Sequence, residues 1–98
     1  MNANEYINGM ADLIRTTSAE YVKVEDIDGR KRIAAKFHSV SEMNSEMKKA
    51  FIANAETLKA LNAGLKALRG SGEIKSATNC WAPALLEGGI ELRMDFGF

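Results

Sequence analysis

Ninety-eight residues are enough for one domain with one modest core, and 46% apolar with 27% charged residues is an ordinary globular composition that excludes disorder. Thirteen acidic residues balance thirteen basic ones, so neither a broad polyanion-binding surface nor an acidic nucleic-acid mimic is expected. A single cysteine and a single histidine exclude an internal disulfide and leave too few ligands for a structural zinc site.

The opening segment MNANEYINGMADLI lacks the basic flank of a signal peptide. No apolar run reaches the roughly 18 residues that a membrane-spanning helix needs. The lone Cys80 suits a reducing compartment, and a cytoplasmic location with no membrane partner is the expectation. Within the opening segment Tyr6, Ile7, Met10, Leu13 and Ile14 recur at helical spacing. Asn2 or Asn4 can cap the start, and Thr16-Thr17-Ser18 marks the end.

Residues 20–37 read as a hairpin. Asp28-Gly29 is a strong two-residue turn signal, because a type I′ turn needs positive φ at both positions. With that loop, Ile27 faces Arg30, Glu25 faces Arg32, Val24 faces Ile33 and Val22 faces Ala35. One face then carries Val22, Val24, Ile33, Ala35 and Phe37, and the other carries Tyr21, Lys23, Glu25, Arg32 and Lys36, with Glu25 and Arg32 as a cross-strand pair. A one-residue slip would scramble both faces.

Ser39-Val40-Ser41-Glu42 has the form of a capping box, and a long second helix follows up to Gly70. Along it Met47, Phe51, Asn54, Leu58, Leu61, Leu65 and Leu68 alternate spacings of four and three, a heptad seam. Thirty residues at about 1.5 Å each make roughly 45 Å, whereas a globule of this size is about 33 Å across. The helix must break, near Asn44-Ser45 or Gly64, or project toward a partner. Both a homodimer seam with Asn54 setting its register and an intrachain core satisfy the pattern.

After Gly70-Ser71-Gly72, residues 73–82 alternate weakly and end at Pro83, as an edge strand would. Gly88-Gly89 then turns into Ile90, Leu92, Met94, Phe96 and Phe98, which alternate strictly with polar residues and glycine. The chain is therefore read as a single domain over 1–98 of class α+β, order α-β-β-α-β-β. Two helices cover one face of a four-stranded antiparallel sheet. The same order results if the first strand of a ferredoxin-like βαββαβ unit is moved to the end, a circularly permuted version of that topology.

Sites are sparse. Cys80 and His38 have no third member to make a nucleophile and base. The carboxylates Glu25, Asp26 and Asp28 match no calcium loop, and the glycine pairs do not precede a helix as a phosphate loop requires. No enzyme, cofactor or metal is expected. Tyr21, Arg30, Lys31, Arg32 and Lys36 form the candidate nucleic-acid contact, although acids on the same hairpin nearly cancel their charge. Trp81, Leu85 and Leu86 are the candidate anchors for a protein contact. The leading expectation is a small non-enzymatic protein-binding module, homodimeric through the 40–69 helix. It would act as an adaptor, structural subunit or stoichiometric inhibitor, of the size class that phages and mobile elements encode. The alternative is a nucleic-acid-binding regulator that uses the hairpin.

Overall fold

The computed structural model describes residues 1–78 and 84–98, with 84–86 described as backbone alone. Asn2 caps the first helix, α1 (Ala3–Ile14), through a complete capping box: its side chain accepts from the Glu5 N–H, and the Glu5 carboxylate accepts from the Asn2 N–H. The hydroxyls of Thr16 and Thr17 close the other end on the carbonyls of Leu13 and Ile14. More than half of α1 is buried, so this helix is the centre of the molecule rather than a surface cover.

The hairpin of β1 (Val22–Ile27) and β2 (Arg30–Phe37) has the register that its turn chemistry dictates. Asp28 and Gly29 take φ of 48° and 76°, and Val22, Val24, Glu25 and Ile27 face Ala35, Ile33, Arg32 and Arg30. The last strand, β5 (Gly89–Gly97), pairs antiparallel with β2 from Ile90 opposite Phe37 to Gly97 opposite Arg30. Its Ile90, Leu92, Met94 and Phe96 join Ile33, Ala35 and Phe37 on one buried face, and Tyr6, Ile7 and Met10 of α1 belong to the same core cluster. The Tyr6 ring meets Phe96 edge-on, with centroids 5.5 Å apart. Phe98, expected to continue the alternation, is instead exposed. The strand ends at Gly97, so nothing holds the last side chain on the core face.

Two short strands, β3 (Ser76–Thr78) and β4 (Ala84–Leu86), also pair antiparallel with β5. Since β2 occupies one edge of β5, both share the other and stand in one column, giving a four-stranded antiparallel sheet in the order β1-β2-β5-β3. Thr78 faces Asp95 and Ala84 faces Glu91, so the register against β5 differs by two residues between β3 and β4. Of the strand expected over 73–82, β3 covers 76–78 and 73–75 precede it, while 79–82 lie outside the described residues. The fold is α+β as expected. β5 inserts between β2 and β3, which is where the displaced first strand of a ferredoxin-like unit belongs.

The long second helix is two helices, α2 (Val40–Ala53) and α3 (Ala55–Gly70). The break falls at Asn54 rather than at Asn44-Ser45 or Gly64. Asn54 leaves helical geometry (φ −117°, ψ 35°), and its side-chain amide donates to the Ala50 carbonyl at 2.8 Å, competing with the backbone as asparagine does. Gly64 stays helical beneath the Met1 side chain. The break lets the segment bend round a body whose Cα atoms extend 39 Å at most. At the far end the left-handed residue is Gly72 (φ 80°), not Gly70.

Candidate docking surface

The seam along α2 and α3 points inward. Met47, Leu61 and Leu68 are buried, and Phe51, Leu58 and Leu65 pack half-buried against the same core. Leu61 lies so close to α1 that a Cβ on Gly9 would be 2.9 Å from its Cδ2. Asn54, the candidate register-setting residue, spends its amide on Ala50. The heptad spacing is therefore satisfied within one chain.

The open face of the sheet carries charges that neutralise one another. Arg32 holds Asp95 with two bonds, Nε to Oδ1 at 2.7 Å and Nη2 to Oδ2 at 3.1 Å. The expected Glu25–Arg32 pair is absent: β2 is central, Asp95 faces Arg32 from β5, and Glu25 takes Lys23 at 2.9 Å. Hydrogen bonding to Arg32 holds the Asp95 carboxyl below its ordinary range and raises Arg32 in return. Glu91 is only 6% exposed. Burial pushes its carboxyl up, but hydrogen bonds from the Tyr21 hydroxyl and Arg93 Nε together outweigh this and hold it low. The same bond to Glu91, helped by burial, pushes the Tyr21 phenol up to about 12. Lys23 Nζ sits 4.9 Å from the Tyr21 ring centroid.

This arrangement disperses the hairpin's nucleic-acid candidates. Tyr21 is engaged by Glu91 and Lys23, Arg32 by Asp95, and Lys36 by Glu20 at 2.9 Å. Lys31 is on the opposite side of the strand from Arg30 and Arg32 and donates to Asn4 Oδ1. Arg30 alone stays exposed without an ion pair among the described residues, at the rim of a hollow of about 320 Å³ that Asp28, Arg32 and Asp95 also line. Of the protein-contact candidates, Trp81 lies outside the described residues, as does Cys80. Leu85 and Leu86 belong to β4, whose backbone faces Ile90 and Gly89.

The free charge is elsewhere. Lys48, Ile52, Ala55, Lys59, Asn62, Lys66 and Arg69 follow the seam one residue later with the same alternation of four and three, and every one of them is exposed. Because the seam packs on one core, its neighbouring row lies along one side of the helical layer. Among the described residues, none of Lys48, Lys59, Lys66 and Arg69 has an ion pair or a side-chain hydrogen bond. Ile52, at 69% exposure, is the most exposed large apolar side chain there. It borders a shallow concavity of about 470 Å³ lined also by Asn44, Met47, Lys48 and Phe51, and a second of about 320 Å³ is lined by Asn62, Leu65, Lys66 and Arg69. The row was present in the sequence as the seam displaced by one position. It escapes notice because apolar periodicity draws the eye to the seam, while basic residues beside a helix seam read as ordinary solvated surface.

His38 is exposed, and Glu42 accepts from its backbone N–H rather than from that of Ser39. Glu42 and Glu46 also bind Ser18, tying the end of α1 to α2. Among the described residues no three His, Cys, Asp or Glu side chains gather as a metal site, and no helix is long and apolar enough to cross a membrane. No family model, no curated protein and no solved structure matches the chain.

Proposed function

We propose that the chain is a docking module without chemistry of its own, which binds an acidic, apolar-centred surface of another protein through the outer row of α2 and α3. The observation that carries this reading is the contrast between its two faces. Lys23, Arg32, Lys36 and Arg93 of the sheet are paired within the chain and leave Arg30 as its exposed unpaired cation, whereas the helical row presents Lys48 beside the exposed Ile52 and Lys59, Lys66 and Arg69 along α3, none of them paired among the described residues. Unpaired cations favour an anionic partner, and Ile52 beside Phe51 gives that partner apolar area to bury. A phosphate backbone would leave Ile52 without use, which ranks nucleic acid second. An adaptor, a structural subunit and a stoichiometric inhibitor would all work through such a surface. The reading needs no second copy of the chain.

Position-resolved photo-crosslinking in the cell that makes the protein tests it. A benzophenone side chain at position 52 or 62 is expected to trap one protein partner, and the same group at 23 or 93 on the sheet is expected to trap none. Crosslinks from the sheet alone, or nucleic acid trapped at 52 and 62, would overturn the reading.

A further inference from the structure

The two concavities share one design. Each combines a half-buried apolar seam residue, Phe51 or Leu65, with cations of the outer row: Lys48 in the first, Lys66 and Arg69 in the second. Phe51 and Leu65 are fourteen positions apart, at most roughly 21 Å because the path bends at Asn54, and Lys59 stands between them. From this geometry, and resting on the docking reading above, we infer that the row takes an acidic amphipathic helix of up to about five turns. Its apolar side chains would seat at the two concavities while its carboxylates meet Lys59 and Lys66.

The spacing of the cations selects a helix over an extended peptide. Lys59 and Lys66 are two turns apart on α3, about 10.5 Å. A helix packed alongside has the same rise, so acids seven residues apart share one face and meet both lysines. An extended strand advances about 3.3 Å per residue, so the same distance is about three residues, an odd number that places successive acids on opposite faces. Helix-in-groove recognition also uses apolar anchors repeated along one face, as the paired concavities require.

The test is selection of a displayed library of helix-forming peptides on the intact chain, followed by affinity measurement on a selected peptide. Enriched sequences are expected to carry Asp or Glu on one face with large apolar residues about three to four turns apart. Ile52→Ala should weaken the selected peptide at least tenfold. Lys59→Glu with Lys66→Glu should abolish binding, and exchanging the facing acids of the peptide for lysine should restore it. These side chains are exposed, so loss of folding is not expected, and the circular dichroism spectrum of each variant checks that. Enrichment without acidic bias, no enrichment at all, or affinity unmoved by these substitutions would overturn the inference. Crosslinks from position 52 with a failed selection would remove the acidic helix and leave the docking reading standing; absence of those crosslinks would remove both.

Discussion

Arg32 has an acid on each neighbouring strand and takes the one on β5, because Asp95 lets both arms of the guanidinium bond at once. The sequence displays the Glu25–Arg32 pairing but not which of two cross-strand partners a central residue will choose, since that depends on a strand some sixty residues away. Glu91 is similar: the Tyr21 hydroxyl that donates to its carboxylate comes from 70 residues away, a contact no local pattern announces. The pH consequences carry definite signs. Glu91 and Asp95 titrate below their ordinary values of 4.5 and 3.8. The stability they contribute is therefore present above about pH 4.5 and is lost as pH falls through their lowered values. Tyr21 is raised from 10.0 to about 12, so its contribution is complete below pH 10 and is lost as pH rises toward 12. Tyr6, raised by burial, adds to the same alkaline limb. Tyr21→Phe should cost about 1.5 kcal/mol near neutrality, the low end for a hydrogen bond to a charged group because Tyr21 is only half-buried. It should also move the acid limb to higher pH, because Glu91 loses one of the bonds that keep it ionised, and shrink the alkaline limb. Urea unfolding at a series of pH values reads all three, and limbs unchanged by the substitution would refute the assignment.

At the scale of elements, the hairpin was legible because two independent signals agreed: positive φ at Asp28-Gly29 and alternation on both arms. The seam of α2 and α3 was legible from its periodicity: Met47, Leu61 and Leu68 are buried and Phe51, Leu58 and Leu65 pack half-buried beside them, while Met43 and Ala50 join the buried face outside the seam. Three features were not. The break at Asn54 depends on a side chain competing for one carbonyl, and a heptad pattern runs through it undisturbed. The division of the fourth sheet column into β3 and β4 depends on a register shift against β5. The exposure of Phe98 depends on where pairing stops. The intrachain role of the seam makes a quantitative contrast with the row beside it. Leu61→Ala should cost about 2–5 kcal/mol, toward the upper end, since Gly9 opposite has no side chain to relax into the void. Ile52→Ala, on the exposed row, should change stability by no more than about 0.5 kcal/mol. Thermal and denaturant unfolding of the two variants checks this directly; equal losses would mean that the row is part of the core.

For the molecule as a whole, a neutral formal charge concealed an uneven distribution: Lys23, Arg32, Lys36 and Arg93 on the sheet are paired with acids, whereas, among the described residues, Arg30 at the hairpin tip and the cations of the helical row are not. Composition reports the sum and cannot report the separation, which is why the proposed docking row was the least legible part of the chain. The topology makes its own whole-molecule prediction. Asn2, Ala3 and Phe98 line one hollow, so the ends of this chain are neighbours, and a short flexible linker from Phe98 to Met1 should be tolerated. Opening that joined chain between Glu87 and Gly88, at an exposed turn, gives strand and helix the unpermuted ferredoxin-like order. The permutant should unfold cooperatively with stability within about 2 kcal/mol of the parent, and a chain without a cooperative transition would contradict the strand order. The most direct measurement of the central claim is calorimetric titration of the crosslinked partner with three chains: the parent, Lys59→Glu with Lys66→Glu, and Arg30→Glu with Lys31→Glu. The account predicts at least a tenfold loss of affinity for the helix-row variant and less than a twofold change for the hairpin variant; the reverse order would contradict it.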